Sequence, residues 1–389
     1  MTELLWFLLP VAAASGWWLA RRGKPRESGA LAHSDLNARY FRGLNYLLNE
    51  QPDKAIDVFI QMLEVDGDTV ETHLALGNLF RRRGEVDRAI RIHQNLIARP
   101  SLDPEQRAEA LLELSRDYMR AGLFDRAEGL LQELLDDEKH RRAALLNLLD
   151  IFQQEKEWEK AINTARWLEN VSGKRYHREI AHFFCEQAEE AIHKGERQEA
   201  ALRLKKALTH DRSCVRASIL EGRMNKAAGQ HKAALTAFKQ VAEQDIALLP
   251  EVLDDLHECY RALGQERQFV DYLRHINEQV QATSATLMQV ELIQQLEGEQ
   301  AARDFLVAHL SRRPSVRGLE GLIELQLDSA SGKAREHLTL LRDLMCELLR
   351  EQPRYRCEHC GFAGKTLHWQ CPSCKHWGTV KPVQGVAAE

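Results

Sequence analysis

Apolar positions change their pattern twice along the chain. Residues 4–20 (LLWFLLPVAAASGWWLA) carry no charged side chain. From about residue 36 to 350, apolar residues recur at the three-and-four spacing that gives a helix one buried stripe. At about Glu351 that periodicity stops, and aromatic, glycine and proline residues punctuate stretches suited to short strands and turns. The first segment predicts a membrane helix: 17 residues at about 1.5 Å each span roughly 25 Å, the short end of what crosses a bilayer. Trp6 lies near one end and Trp17 and Trp18 near the other, where indole rings favour the interface with water. Ala12, Ala13 and Ala14 could imitate a signal-peptidase site, but the charge order opposes a signal peptide. Only Glu3 precedes the run, and the basic residues Arg21, Arg22, Lys24 and Arg26 follow it. By the positive-inside rule the N-terminus faces outward and everything after Arg21 lies in the cytoplasm.

The helical region repeats at about 34 residues. Ala55, Ala89, Ala127, Ala161, Ala200 and Ala234 are separated by 34, 38, 34, 39 and 34 positions, with Phe269 and Ala302 continuing the register. Twelve positions before these anchors stand Gly43, Gly77, Ser115, Leu149, Ala188 and Gly222, mostly small, so two helices can approach closely. Five positions before the anchor comes Gly84, Gly122, Gly195 or Gly229, with Gly264 continuing the set; glycine there ends the first helix in the left-handed conformation. Aromatic residues nine positions before the anchor (Tyr46, Phe80, Tyr118, Phe152, Tyr260) fill the seam between neighbours. One hairpin cannot bury its apolar face, so the units must stack. The pattern resembles the tetratricopeptide repeat over residues 36–350, in eight or nine hairpins. A generic helical-hairpin solenoid would have the same architecture: a superhelix whose concave side is lined by first helices and suits a peptide or protein partner. Asn78, Arg81, Arg116, Arg120, Asp150, Gln153, Glu189, Arg223 and Lys226 are expected on that side.

The most specific signal is at the end. Tyr355 to Pro382 reads YRCEHCGFAGKTLHWQCPSCKHWGTVKP, in which the pairs Cys357/Cys360 and Cys371/Cys374 are ten residues apart. Each pair forms a knuckle that points two sulfurs at one ion, and two knuckles supply the four tetrahedral ligands that iron or zinc accepts. A module this small needs the ion to fold. Disulfide pairing is disfavoured in a reducing cytoplasm. His359, His368 and His376 lie nearby but outside a complete four-cysteine shell. The module resembles a rubredoxin-type knuckle domain or short zinc ribbon, with Gly361 after Cys360 and Pro372 inside the second pair. Lys375 stands where a second glycine is usual, and the ten-residue spacing is shorter than in a true rubredoxin. Both departures count against electron carriage, not against metal. The module is expected to pack on the amphipathic final helix through Leu338, Leu341, Met345 and Leu348.

Composition removes other readings. The chain has 389 residues, 44% hydrophobic and 29% charged, with formal net charge -5, which excludes wholesale disorder and a polybasic nucleic-acid binder. In the metal module Trp369 and Trp377 are candidates for base stacking and Lys365, Lys375 and Lys381 for phosphate contacts. Between Glu351 and Glu389, five basic residues against three acidic ones is too thin a charge for that role, so no nucleic-acid partner is expected. Eight cysteines are too sparse for a disulfide scaffold, and Cys185, Cys214, Cys259 and Cys346 stand alone in helical sequence, as packing residues do. There is no phosphate-binding loop, dinucleotide fingerprint or nucleophile elbow, and His257-Glu258 is followed by Arg261 where a zincin needs histidine. No catalytic residue and no organic cofactor site is expected.

The order of anchor (1–20), basic juxtamembrane linker (21–35), repeat array (36–350) and four-cysteine module (351–385) resembles the lipopolysaccharide assembly protein B family of Gram-negative bacteria over essentially the whole chain. The resemblance implies an all-α tetratricopeptide-repeat superhelical solenoid with an N-terminal transmembrane helix and a small rubredoxin-like metal module. It implies a single-pass inner-membrane adaptor, N-terminus periplasmic and bulk cytoplasmic, that restrains lipopolysaccharide synthesis. Members promote degradation of LpxC, the deacetylase of the committed lipid A step, by the FtsH protease, and gather other lipopolysaccharide-assembly proteins. A structural scaffold without a role in proteolysis and a rubredoxin-type electron carrier are the alternatives. One ion, iron or zinc, on Cys357, Cys360, Cys371 and Cys374 is the only site that transfers. Homo-oligomerisation is left open.

Overall fold

The computed structural model describes residues 41–46, 49, 51–65, 70–279, 283–350 and 352–383, together with Trp17. The expected anchor at residues 4–20 therefore lies, apart from Trp17, outside the described residues. Among the described residues no helix is long and apolar enough to cross a membrane. The chain divides into two compact units, Met1–Ile151 and Phe152–Glu389.

In the first unit, helical residues 41–46 are followed by α1 (Pro52–Val65), α2 (Val70–Arg82), α3 (Val86–Ile97), α4 (Pro104–Arg120) and α5 (Phe124–Glu133), and α6 (Arg141–Gln154) ends across the boundary. The second unit continues with α7 (Trp158–Ser172), α8 (His177–His193), α9 (Arg197–His210), α10 (Val215–Ala227) and α11 (His231–Gln244). A 3-10 helix (Ile246–Val252) then precedes α12 (Leu253–Ala262), α13 (Glu266–Gln279), α14 (Thr283–Glu297), α15 (Glu299–Arg312), α16 (Val316–Ser329) and α17 (Gly332–Arg350). Three short strands end the described chain: β1 (Tyr355–Cys357), β2 (Ala363–Gly364) and β3 (Val380–Pro382). The architecture is a mostly helical tetratricopeptide-repeat solenoid with a C-terminal ribbon.

Side-chain size explains the hairpins. The anchors Ala55, Ala89, Ala127, Ala161, Ala200, Ala234 and Ala302 are fully buried. The first-helix glycines Gly43, Gly77 and Gly222 each face the residue sixteen positions later. A methyl group on Gly222 would sit 2.3 Å from the Phe238 ring, and one on Gly77 2.3 Å from His93. At the hairpin turn the N–H after the left-handed residue returns to the carbonyl of the seam aromatic, as in Glu85 to Phe80 and Leu123 to Tyr118, both at 2.9 Å. A cation eight positions further on covers that ring: Arg88 over Phe80, Arg126 over Tyr118 and Lys160 over Phe152. In the fourth unit of the repeat Lys156 (φ 60°) takes the place and the left-handed conformation of glycine.

Several cations expected on the first-helix face are engaged by the neighbouring hairpin. Arg81 pairs with Glu113 and Asp117 at 2.6 and 2.8 Å, and Asp117 meets the fully buried His93 at 2.5 Å. Arg223 and Lys226 both reach Asp255, and Glu189 receives Arg216 at 2.9 Å. The arginine and lysine pairs join first helices to one another, and Asp117–His93 joins α4 to the second helix α3.

Candidate metal centre and its dock

Two hydrogen-bonded knuckles place the cysteines. In the first, Gly361 N–H donates to the Cys357 carbonyl at 2.9 Å and Cys357 N–H to Phe362 at 2.7 Å. In the second, Lys375 N–H donates to Cys371 and Cys371 N–H to His376, each at 2.9 Å. Gly361 (φ 78°) and Lys375 (φ 61°) occupy equivalent left-handed positions, so the lysine changes the residue and keeps the backbone. The strand β1 pairs antiparallel with β2 (Arg356 with Ala363) and with β3 (Arg356 with Lys381), tying the first knuckle to the segment that leaves the second.

The four sulfurs lie within 4.8 Å of one another. Cys357 and Cys374 are 3.8 Å apart and Cys360 and Cys371 3.7 Å. Four sulfurs at about 2.3 Å from one tetrahedral centre lie about 3.8 Å apart, so the donor set fits one ion. A disulfide would need about 2.05 Å. Burial opposes ionisation of the Cys357 thiol, but the Thr379 hydroxyl and the N–H groups of Cys360 and His359 outweigh it and pull it down to about 6. Thiolate is the form a metal requires.

The ribbon docks on the repeats of its own unit. Trp377, 5% exposed, stacks on His182 at 5.1 Å and meets Trp158 and Phe183 edge-on at 6.4 and 5.8 Å. Its Nε1 donates to Gln153 Oε1 at 2.8 Å, and Gln370 donates to the same oxygen at 3.2 Å. Trp369 lies under the Arg216 guanidinium, which is itself held by Glu186 and Glu189. Lys381 pairs with Asp245, whose carboxylate also accepts from Ala247 N–H at the start of the 3-10 helix, and the Tyr355 hydroxyl donates to Glu251 at 2.5 Å. Burial pushes His182 down to about 3, with Arg216 and Arg178 adding to it, so the ring is neutral in the dock. Burial and the Glu251 carboxylate raise the Tyr355 hydroxyl.

The expected seat on the final helix is corrected. α17 has no buried residue, and Leu341 and Leu348 are 51% and 68% exposed. The ribbon sits instead on Gln153 at the end of α6, on α7, α8 and α10, and on the 3-10 helix, because its tryptophans and Lys381 find there an aromatic pocket and a carboxylate. With α17 it shares only the wall of a cavity of about 880 Å³, lined by Glu251, Glu320, Glu324, Arg317, Arg342 and Arg354 among others. Of the dock, sequence reasoning named Gln153 and Glu189, as first-helix face residues, and Trp369, Trp377 and Lys381, as candidates for nucleic-acid contacts. His182, Trp158, Arg216, Asp245 and Glu251 were missed. The Pro250-containing break in the helical pattern was the available signal, since it marks a repeat altered for another purpose. Of the four cysteines outside the ribbon, Cys185, Cys214 and Cys259 are buried, the first two with their sulfurs 3.8 Å apart, while Cys346 is half-buried beside Glu320.

Fold and site together define a tetratricopeptide-repeat protein that carries a docked four-cysteine metal ribbon. A family model described as rubredoxin metal binding domain matches residues 355–382, and tetratricopeptide-repeat models match 72–108 and 112–166. The chain is 43% identical over 387 residues to lipopolysaccharide assembly protein B of Escherichia coli K12, covering 99% of each. To the Haemophilus influenzae protein of the same name it is 37% identical over 393 residues, covering 98% of each. The chain belongs to the lipopolysaccharide assembly protein B family. A solved structure of Pseudomonas aeruginosa pilF aligns at 18% identity and TM-score 0.34, over 55% of this chain and 93% of that one.

Proposed function

We propose that the protein is a non-catalytic adaptor of lipopolysaccharide assembly, held at the inner membrane by residues 4–20 with its repeats and ribbon on the cytoplasmic side. The observation that carries this reading is the end-to-end identity with relatives named for lipopolysaccharide assembly. The charge order around the apolar run supports the orientation. Cys357, Cys360, Cys371 and Cys374 hold one iron or zinc ion, whose contribution is to fix the two knuckles against each other. The ribbon then presents Trp377 and Lys381 to the repeats of its own unit and holds α7, α8, α10 and the 3-10 helix in one arrangement. The mixed-sign cavity beside Tyr355 suits a polypeptide client more than an anionic polymer.

In the finer reading the adaptor brings LpxC to FtsH, and tethering raises the effective concentration of the captured deacetylase beside a membrane protease. A pulse-chase of LpxC in cells tests it. Deleting residues 1–20 should lengthen the lifetime of LpxC to that of cells lacking the protein altogether. Normal turnover with the soluble form sinks the tethering mechanism. Co-purification of several lipopolysaccharide enzymes with LpxC lifetime unchanged on full deletion identifies a scaffold instead.

A further inference from the structure

We propose that the ribbon carries a second cation site on its outer face, formed by His359, His376 and the sulfur of Cys374, and that it takes zinc. One ring nitrogen of each histidine and the Cys374 sulfur lie within 4.8 Å of one another. The two imidazoles stack with centroids 3.8 Å apart at 23°. They come from different places in the two knuckles: His359 immediately precedes the second cysteine of the first, and His376 follows that of the second by two residues. The knuckle bonds fix both backbones, since the His376 carbonyl receives Cys371 N–H at 2.9 Å. The third histidine, His368, is turned away onto Thr366 and Phe362. The fold therefore selects two of the three.

The chemistry of the atoms suits a borderline metal. His376 Nδ1 lies 2.9 Å from the Cys374 carbonyl, which only accepts, so Nδ1 carries the hydrogen and Nε2 keeps its lone pair. Backbone carbonyls set liganding histidines in this way. Both rings are exposed, and binding requires them to turn out of the stack so that one nitrogen of each points at the ion. Cys374 is only half-buried, unlike Cys357 and Cys371, which leaves its outward lone pairs accessible for bridging. The inference rests on the four-cysteine site being loaded: four thiolates around a divalent ion keep a charge of about -2, which draws a second cation to that face. Two nitrogens and one sulfur are an ordinary zinc donor set, and a water completes it.

Metal counting on the full-length protein decides the matter. Wild type and His359→Ala/His376→Ala protein are saturated with zinc, freed of loosely held ions by gel filtration, and assayed for zinc by atomic emission. Two ions per chain in the wild type and one in the double variant are expected. One ion in both overturns the second site and leaves the first standing. Two in both places the extra ion elsewhere and overturns it as well, and none in either overturns both sites. Cobalt added to zinc-loaded protein reports on the bridge: a sulfur-to-cobalt charge-transfer band should appear in the wild type and be lost in the double variant. Cobalt bound without that band refutes the role of Cys374.

Discussion

Lys375 and Lys156 both hold positive φ at turn positions where Gly361 in the ribbon and Gly84, Gly122, Gly195 and Gly229 in the repeats have glycine. A side chain with a Cβ costs about 1–2 kcal/mol in that region, partly offset by the greater freedom glycine regains on unfolding. Lys375→Gly should therefore stabilise the ribbon by up to about 1 kcal/mol, read as slower loss of metal to a chelator; no gain would mean that the lysine makes a compensating contact. The opposite case is Gly222, where an added methyl lands on a fully buried phenylalanine in tightly packed surroundings. Gly222→Ala should lower stability by about 1–3 kcal/mol, the usual range for overpacking, seen as a lower thermal midpoint. The same change at Gly229, whose Cβ would meet nothing within 4 Å, should cost only the φ strain.

At the scale of elements, the dock is a neutral aromatic stack closed by polar contacts at its rim, and each part has its own expected outcome. Removing the Trp377 ring by Trp377→Ala should cost about 3–5 kcal/mol and expose the linker around residue 352 to protease, while far-ultraviolet circular dichroism of the helices barely changes. Acid should loosen the same joint. The docked His182 ring refuses a proton down to about pH 3, whereas a solvated ring binds one below 6.5. Between those values the undocked state gains protons, so docking is fully stable above pH 6.5 and loses about 2 kcal/mol by pH 5. A His182→Phe variant keeps the stack and should show a flatter pH profile of protease sensitivity; a profile as steep as wild type would assign the acid effect to other groups. Much of this scale was legible in the sequence. The alanine, glycine and aromatic positions reported hairpins because they are fixed by contacts within one unit of the repeat. The Cys-x-x-Cys pairs reported the metal centre for the same local reason. The seat of the ribbon was not legible, because Trp377 meets Gln153 and Trp158 across more than two hundred residues and nothing in spacing encodes that pairing. Exposed leucines on α17 were read as a seat because amphipathicity alone does not say what covers a face.

For the whole molecule, the two kinds of core differ in what keeps them folded. One repeat core runs from Val215 and Phe238 through Leu256, Phe269 and Leu273 to Leu292, and it contains no metal-ligand set. The ribbon core is Cys357, Cys371 and Val380 with Tyr355, Phe362, Leu367 and Cys374 around them, so most of its centre is the metal site itself. Without an ion, packed thiolates repel and neutral thiols bury too little apolar area to hold some thirty residues. Cys371→Ser/Cys374→Ser protein should therefore lose its metal and its ribbon together, keep nearly all helical signal, and become cleavable after α17. Leu367 and Trp369 lean on the repeat core from the ribbon side, so that core should also lose protection against hydrogen exchange around α10 and the 3-10 helix, with α14 and α15 little affected. If LpxC turnover in cells falls with this variant as far as with anchor deletion, the metal acts by keeping the repeats in the arrangement that clients recognise. If turnover is normal although the ribbon is lost, the dock is dispensable and the repeat face alone does the gripping.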